Sequence, residues 1–220
     1  MSNHVWDWTP PPFPPRRDLD GRWCRLEPLS VARHGAALWQ HMEGQEDVWT
    51  YLPVPPPAAK ADYLALLKSM ADDAAIVSLA VVDKADGLAK GHLWIMEIRP
   101  AHGVFEIGYI AYSPAMQRTR MATEAVYLVG EHGFRLGYRR YEWKCNDLNE
   151  PSKRAALRFG FTWEGLFRQH QVVKGRNRDT AWYSILDSEW PDRKARFERW
   201  LAPENFDAAG RQFTPLARAG

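Results

Sequence analysis

The chain has 220 residues, long enough to bury a sizeable core, and 45% of them are hydrophobic. Its 29 basic and 27 acidic residues leave a formal net charge of +2, which gives no global pull toward nucleic acid or an anionic membrane. Mean hydropathy is -0.47, and no run approaches membrane-spanning length.

The first stretch, "MSNHVWDWTPPPFPPRRD", lacks the apolar segment of a secretory signal, so a cytoplasmic location is expected. Its prolines (Pro10, Pro11, Pro12, Pro14 and Pro15) favour an extended arm, packing on the surface through Trp6 and Trp8. From Arg22, "RWCRLEPL" alternates as a strand. Ser30 then caps "VARHGAALWQHM", a helix with apolar spacing at Val31, Leu38, Trp39 and Met42. "EGQEDVWTYLPVPPP" reads as a loop and "AAKADYLALLKSMADD" as a second helix. Three strands follow, "AIVSLAVVD", "AKGHLWIMEI" and "VFEIGYIAY", with Asp86-Gly87 as the hairpin signal between the first two.

After "SPAMQRTR" comes a helix, "MATEAVYLVGEHGFRLG", stopped by Gly137. "RRYEWKC" is a strand, and "EPSKRAALRFG" a short helix with proline early and glycine last. "FTWEGLFRQHQVV" and "TAWYSIL" form a hairpin across a basic turn, "KGRNRD", residues 174–179. "SEWPDRKARFERWL" is a last amphipathic helix. Three divisions follow: an arm over 1–21, a catalytic-type body over 22–190, and a C-terminal helix and tail over 191–220. Three consecutive strands require antiparallel pairing, while the later strand–helix–strand run requires a parallel crossover. The predicted fold is α/β (α+β by some schemes), a mixed, mostly antiparallel sheet with helices on both faces.

The stretch "SPAMQRTRMATEA", Ser113 to Ala125, looks like a phosphate-binding turn feeding a helix, yet it holds no glycine. Together with "EIGYIAYSP", "NEPSKRAALRFGFTWEG" and "DTAWYSILDSEW", in that order, it resembles the GNAT superfamily of N-acetyltransferases, in particular its RimJ/RimL-like branch. The similarity runs from about Arg22 to Trp190. The family's phosphate pattern is Gln/Arg-x-x-Gly-x-Gly/Ala; here Gln117 takes the first place, Ala122 the last, and Arg120 replaces the central glycine.

The resemblance implies acetyl-CoA as cosubstrate. Its phosphates would lie on the backbone of Gln117, Arg118, Thr119, Arg120, Met121, Ala122 and Thr123, and its pantetheine arm along Ile110, Ala111 and Tyr112. For arginine to be tolerated, the backbone at Arg120 must already be helical, with Thr119 as N-cap. Its guanidinium would then fold back on a phosphate or point to solvent.

Acetyl transfer to an amine needs a base, donors for the developing oxyanion and a proton source for the departing thiolate. Glu106 in "VFEIGY" is the preferred base because it alternates with apolar Phe105 and Ile107; Glu97 is second. Ser152 is the preferred acid. Asn149 and Ser152 match an Asn-x-x-Ser unit of the resembling branch, which implies that Asn149 bonds the pantetheine. Glu43, Glu46 and Asp47 could attract a cationic acceptor, with Trp49 and Tyr51 as walls. Cys24 and Cys145 fit a reducing compartment, and the seven histidines lack ligand spacing, so no metal is expected.

The expected activity is acetyl-CoA-dependent N-acetyl transfer to a primary amine, either a protein N-terminus or a small molecule. The alternative is a non-catalytic CoA-binding regulatory module, which Arg120 favours. No nucleic acid or membrane partner is expected, and the resemblance makes a homodimer plausible.

Overall fold

The structure, a computed structural model, describes residues 8–216. The strands are β1 (Leu19–Asp20), β2 (Cys24–Pro28), β3 (Val77–Asp83), β4 (Ala89–Arg99), β5 (Val104–Tyr112), β6 (Arg140–Asn146), β7 (Thr162–Val173) and β8 (Arg176–Leu186). The helices are α1 (Val31–Met42), α2 (Lys60–Asp72), α3 (Arg120–Arg135), α4 (Glu150–Phe159) and α5 (Trp190–Leu201). All eight strands join one sheet in the order β1-β2-β3-β4-β5-β6-β8-β7. Every neighbouring pair is antiparallel except β5 and β6, which the α3 crossover makes parallel.

Each face of the sheet carries a core. On one face α3, α4 and α5 cover Leu79, Leu93, Phe105, Ile107, Tyr141 and Ile185. On the other, α1 and α2 cover Ala80, Val82 and Ala111 with Leu38, Tyr63 and Leu67. Covered on both sides, β3 is buried from Val77 through Val82, which explains its nearly unbroken apolar run. Helix α3 lies close on the sheet at Gly133, where a Cβ would stand 2.2 Å from the Phe105 ring.

One sequence reading is corrected. The hairpin turn is Lys174-Gly175 alone, and Arg176–Asp179 belong to β8. Within the arm, Leu19–Asp20 pairs with β2. Trp8 packs against Gly103 and Arg139, and Arg16 donates to the carbonyls of Ala71 and Ile76. Trp6 lies outside the described residues.

Candidate active site

The site begins where two parallel strands part. β5 and β6 pair only at Val104–Arg140, Phe105–Tyr141 and Glu106–Glu142. Beyond that point β5 stays with β4 as far as Tyr112, while β6 follows β8 as far as Asn146. Two bulges accompany the parting. One extra β5 residue sits near Tyr109 (φ 46°), and one extra β4 residue near Glu97 (φ 47°). Such bulges bend a strand and increase its twist, which carries Ile107–Tyr112 away from β6. Among the described residues that edge of β5 has no strand partner, so its backbone polar groups face the opening.

The opening belongs to a cleft of about 1730 Å³ that reaches the start of α3, the start of α4, β8 and the α1–α2 loop. Alternation along β6 decides what stands on each side of it. Trp143 and Cys145 face α4, where Trp143 packs on Phe159. Glu142 and Lys144 face the other way, with Lys144 Nζ 4.1 Å from the Trp182 ring centroid. The gap between the strands therefore joins two half-sites on opposite faces of the sheet.

Glu106 occupies the apex and is 5% exposed. Lys144 Nζ lies 2.7 Å from its Oε2 and 3.3 Å from Glu142 Oε2. Glu142 also accepts from Arg99 and from Arg140 Nε, the latter at 2.8 Å. Burial pushes the Glu106 carboxyl up to about 7, with Lys144 opposing. A carboxyl poised there can take a proton at neutral pH. Glu97, the second sequence choice, borders the cleft but is exposed.

On the α4 side, Asn149 caps the helix by accepting from Ser152 N at 3.1 Å. Ser152 Oγ accepts from Trp143 Nε1 at 3.0 Å, so its own proton points to an acceptor, Cys145 or a ligand sulfur. Burial raises the Cys145 thiol above its usual range, and a Ser152 hydrogen bond opposes the shift.

At the start of α3, Thr119 is the N-cap (φ -91°, ψ 166°), its Oγ1 accepting from Ala122 N, and Arg120 is the first helical residue. The left-handed residue of the turn is Arg118 (φ 63°), two positions earlier. The Arg120 side chain lines the cleft, and its Cζ sits 3.6 Å from the Trp23 ring centroid, a cation–π stack. Thr123 N also bonds back, to Thr119 O, so Arg120 and Met121 carry the two N–H groups of that turn left for an anion.

Ile110, Tyr112, Gln117, Arg118, Thr119, Ala122 and Thr123 line the cleft. Ala111 and Met121 point into the two cores instead. Gln117 is partly engaged, its Nε2 donating to Tyr112 O at 2.9 Å.

The acceptor residues named from sequence do not stay together. Trp49 is 2% exposed and packs edge-on against Tyr63, so it is core rather than wall. Glu43 and Glu46 are exposed and lie away from the cleft, which Asp47 and Tyr51 do line. Tyr51 donates to Leu148 O at 2.9 Å, and Lys174 Nζ donates to Trp49 O at 2.7 Å. These two bonds make the α1–α2 loop a strap across the cleft. Sequence reading missed Lys144, Arg178, Thr180 and Trp182, which line the same cleft. The alternation of β6 and of the later part of β8 carried the signal for Lys144, Thr180 and Trp182, but not for Arg178.

The acetyltransferase (GNAT) domain profile matches residues 24–162. The chain belongs to the GNAT family. It is 49% identical to a GCN5-related N-acetyltransferase from Brucella melitensis, with a TM-score of 0.94, covering 96% of this chain and 97% of that one. A probable acetyltransferase (GNAT family) from Chromobacterium violaceum ATCC 12472 is 39% identical, with a TM-score of 0.82, covering 87% and 96%. The ribosomal alpha-N-protein acetyltransferase RimL shares the fold at 19% identity, with a TM-score of 0.66 over 77% and 94%. Among curated proteins none matches at a significant level. GNAT acetyltransferases use acetyl-CoA and act on an amine acceptor. No group of metal-ligating side chains occurs among the described residues, and no described helix is long and apolar enough to cross a membrane.

Proposed function

We propose that this GNAT protein transfers the acetyl group of acetyl-CoA to a primary amine by direct attack on the thioester. The observation that carries this reading is the parting of β5 from β6 at a buried carboxyl whose proton affinity lies near neutrality. The residues present fit the cosubstrate. The unpaired β5 edge offers hydrogen bonds to an extended amide-bearing arm, and the α3 N-terminus with Arg118 and Arg158 beside it suits phosphates. Acetyl-CoA supplies an activated acyl group.

The chain's own groups supply the rest. Glu106 takes the amine proton as the N–C bond forms. N–H groups on the β5 edge hold the carbonyl oxygen, and Ser152 donates toward sulfur as the C–S bond breaks. Arg120, the feature that favoured a module without activity, occupies an ordinary helical position, so no observation now favours that alternative.

Two measurements test the reading. Calorimetry with acetyl-CoA should give micromolar affinity, about -8 kcal/mol. A panel of amines and peptides, read by release of free CoA, should then identify an acceptor. Absence of both heat and thermal stabilisation at millimolar acetyl-CoA would sink the proposal. With an active acceptor, Ser152→Ala should lower kcat by about 10-fold to 100-fold and barely change acetyl-CoA affinity. A variant with full kcat would remove Ser152 from the chemistry.

A further inference from the structure

Beyond the end of β6, the cleft wall on the Glu106 face is built by β8. Lys144 stands opposite Trp182 and Asn146 opposite Thr180, so Arg178, Thr180 and Trp182 alternate onto that same face. All three line the cleft. The charges nearer the apex are already matched: Glu142 is held by Arg99, Arg140 and Lys144, and Glu106 by Lys144. Arg178 has no ion pair among the described residues, and its Nε is buried without a hydrogen-bond partner. Trp182 Nε1 is buried and unpartnered in the same way.

Burial pulls the guanidinium below its ordinary value, with Cys145 and Glu106 opposing. A half-buried guanidinium with spare donors is costly unless an anion meets it. Once Glu106 has taken a proton, the surplus of positive charge on this wall grows. Over the wall lies the strap held by the Tyr51–Leu148 and Lys174–Trp49 bonds, which limits the room for a bulky acceptor.

We infer that Arg178 is a specificity residue for the acceptor, which is a small primary amine that also carries a carboxylate. This rests on the acetyltransferase reading above and names the substrate class of that site. The guanidinium takes the carboxylate, the Trp182 indole supplies a further donor, and the amine is left toward Glu106.

The experiment compares matched acceptors that differ only in the carboxylate: L-phenylalanine with phenethylamine, L-methionine with 3-(methylthio)propylamine, and 4-aminobutyrate with propylamine. Free CoA release gives kcat/KM for each, and calorimetry gives acetyl-CoA affinity separately. The carboxylate-bearing member of at least one pair should be preferred by about 10-fold to 100-fold, the range of a charge-assisted hydrogen bond. Arg178→Gln should erase the preference mainly through KM, whereas Arg178→Lys, which keeps the charge, should retain part of it. Melting temperatures of both variants show whether they fold.

Three results overturn the inference while leaving acetyl transfer standing. These are turnover of none of the carboxylate-bearing acceptors by a protein that binds acetyl-CoA, preference for the plain amines, and lost acetyl-CoA affinity in folded Arg178→Gln. The last would assign Arg178 to the cosubstrate. A wild-type protein that fails to bind acetyl-CoA instead overturns the reading beneath.

Discussion

Glu106→Gln should lower kcat/KM at pH 8 by about 100-fold or more, the scale of a positioned general base. It should also change the shape of the pH profile. In the wild type the carboxyl must be ionised to accept a proton. Activity should therefore rise as one group deprotonates and level off above about 7, where burial and Lys144 together place Glu106. The glutamine variant has no such group, and only the neutral fraction of the amine can react. Its limb should move up toward the acceptor's own value, near 10 for a simple alkylamine.

A second substitution separates position from titration. Lys144 Nζ, 2.7 Å from the carboxylate, favours the ionised form, so Lys144→Met should push the wild-type limb above 7. Initial rates from pH 5.5 to 9.5 with one acceptor measure all three profiles. If Glu106→Gln keeps the wild-type limb, the proton is taken by another group or by water, and the assignment of Glu106 fails.

The elements around this carboxyl were legible because they are long and periodic. Helix α3 repeats small and apolar residues at helical spacing, and β3 is an apolar run of strand length bounded by a turn. Thr119 as N-cap followed from residue type and position. The opening itself was not legible. It depends on single left-handed residues, Tyr109 and Glu97, and nothing in either residue type announces that conformation.

Side-chain destinations were hidden for a related reason. Trp49 in an acidic loop could face either a cleft or a core, and only the tertiary packing of Tyr63 decides for the core. Arg178 was read within a basic turn, because the strand's first residues, Arg-Asn-Arg-Asp, carry no apolar alternation. Arg120 was weighed against phosphate or solvent alone. Its actual partner, Trp23, lies 97 positions earlier in the chain, which is the separation between the numbers of the two stacked residues.

The largest stability effect should come from Glu124, which anchors that same corner. Its carboxylate is 3% exposed and accepts from three consecutive backbone N–H groups: Arg22 at 2.7 Å, Trp23 at 2.7 Å and Cys24 at 2.8 Å. The first turns of α3 are thereby tied to the start of β2, and Trp23 is held where Arg120 stacks on it. Hydrogen bonds to a charged group contribute about 1.5–3 kcal/mol each, and donors left buried without partners add a desolvation cost. The three are not additive, but Glu124→Ala should lose about 4 kcal/mol, read as a drop of roughly 8–16 °C in Tm for a chain of this size.

Glutamine should rescue only part of the loss. With the amide oxygen kept at the Oε2 position, which serves both Trp23 and Cys24, the NH2 would still face the Arg22 N–H donor. Gly21→Ala provides an independent route to the same corner, since its Cβ would stand 2.5 Å from both Glu124 Cδ and Oε2. Amide hydrogen exchange at Arg22, Trp23 and Cys24 should accelerate in both variants before the sheet itself opens. Because the α3 N-terminus is also where the phosphates are proposed to sit, acetyl-CoA should protect those amides in the wild type and less so in Glu124→Ala. A Glu124→Ala protein that loses under 1 kcal/mol in denaturant unfolding would mean that water replaces the carboxylate at the three amides, and the anchoring role would fall.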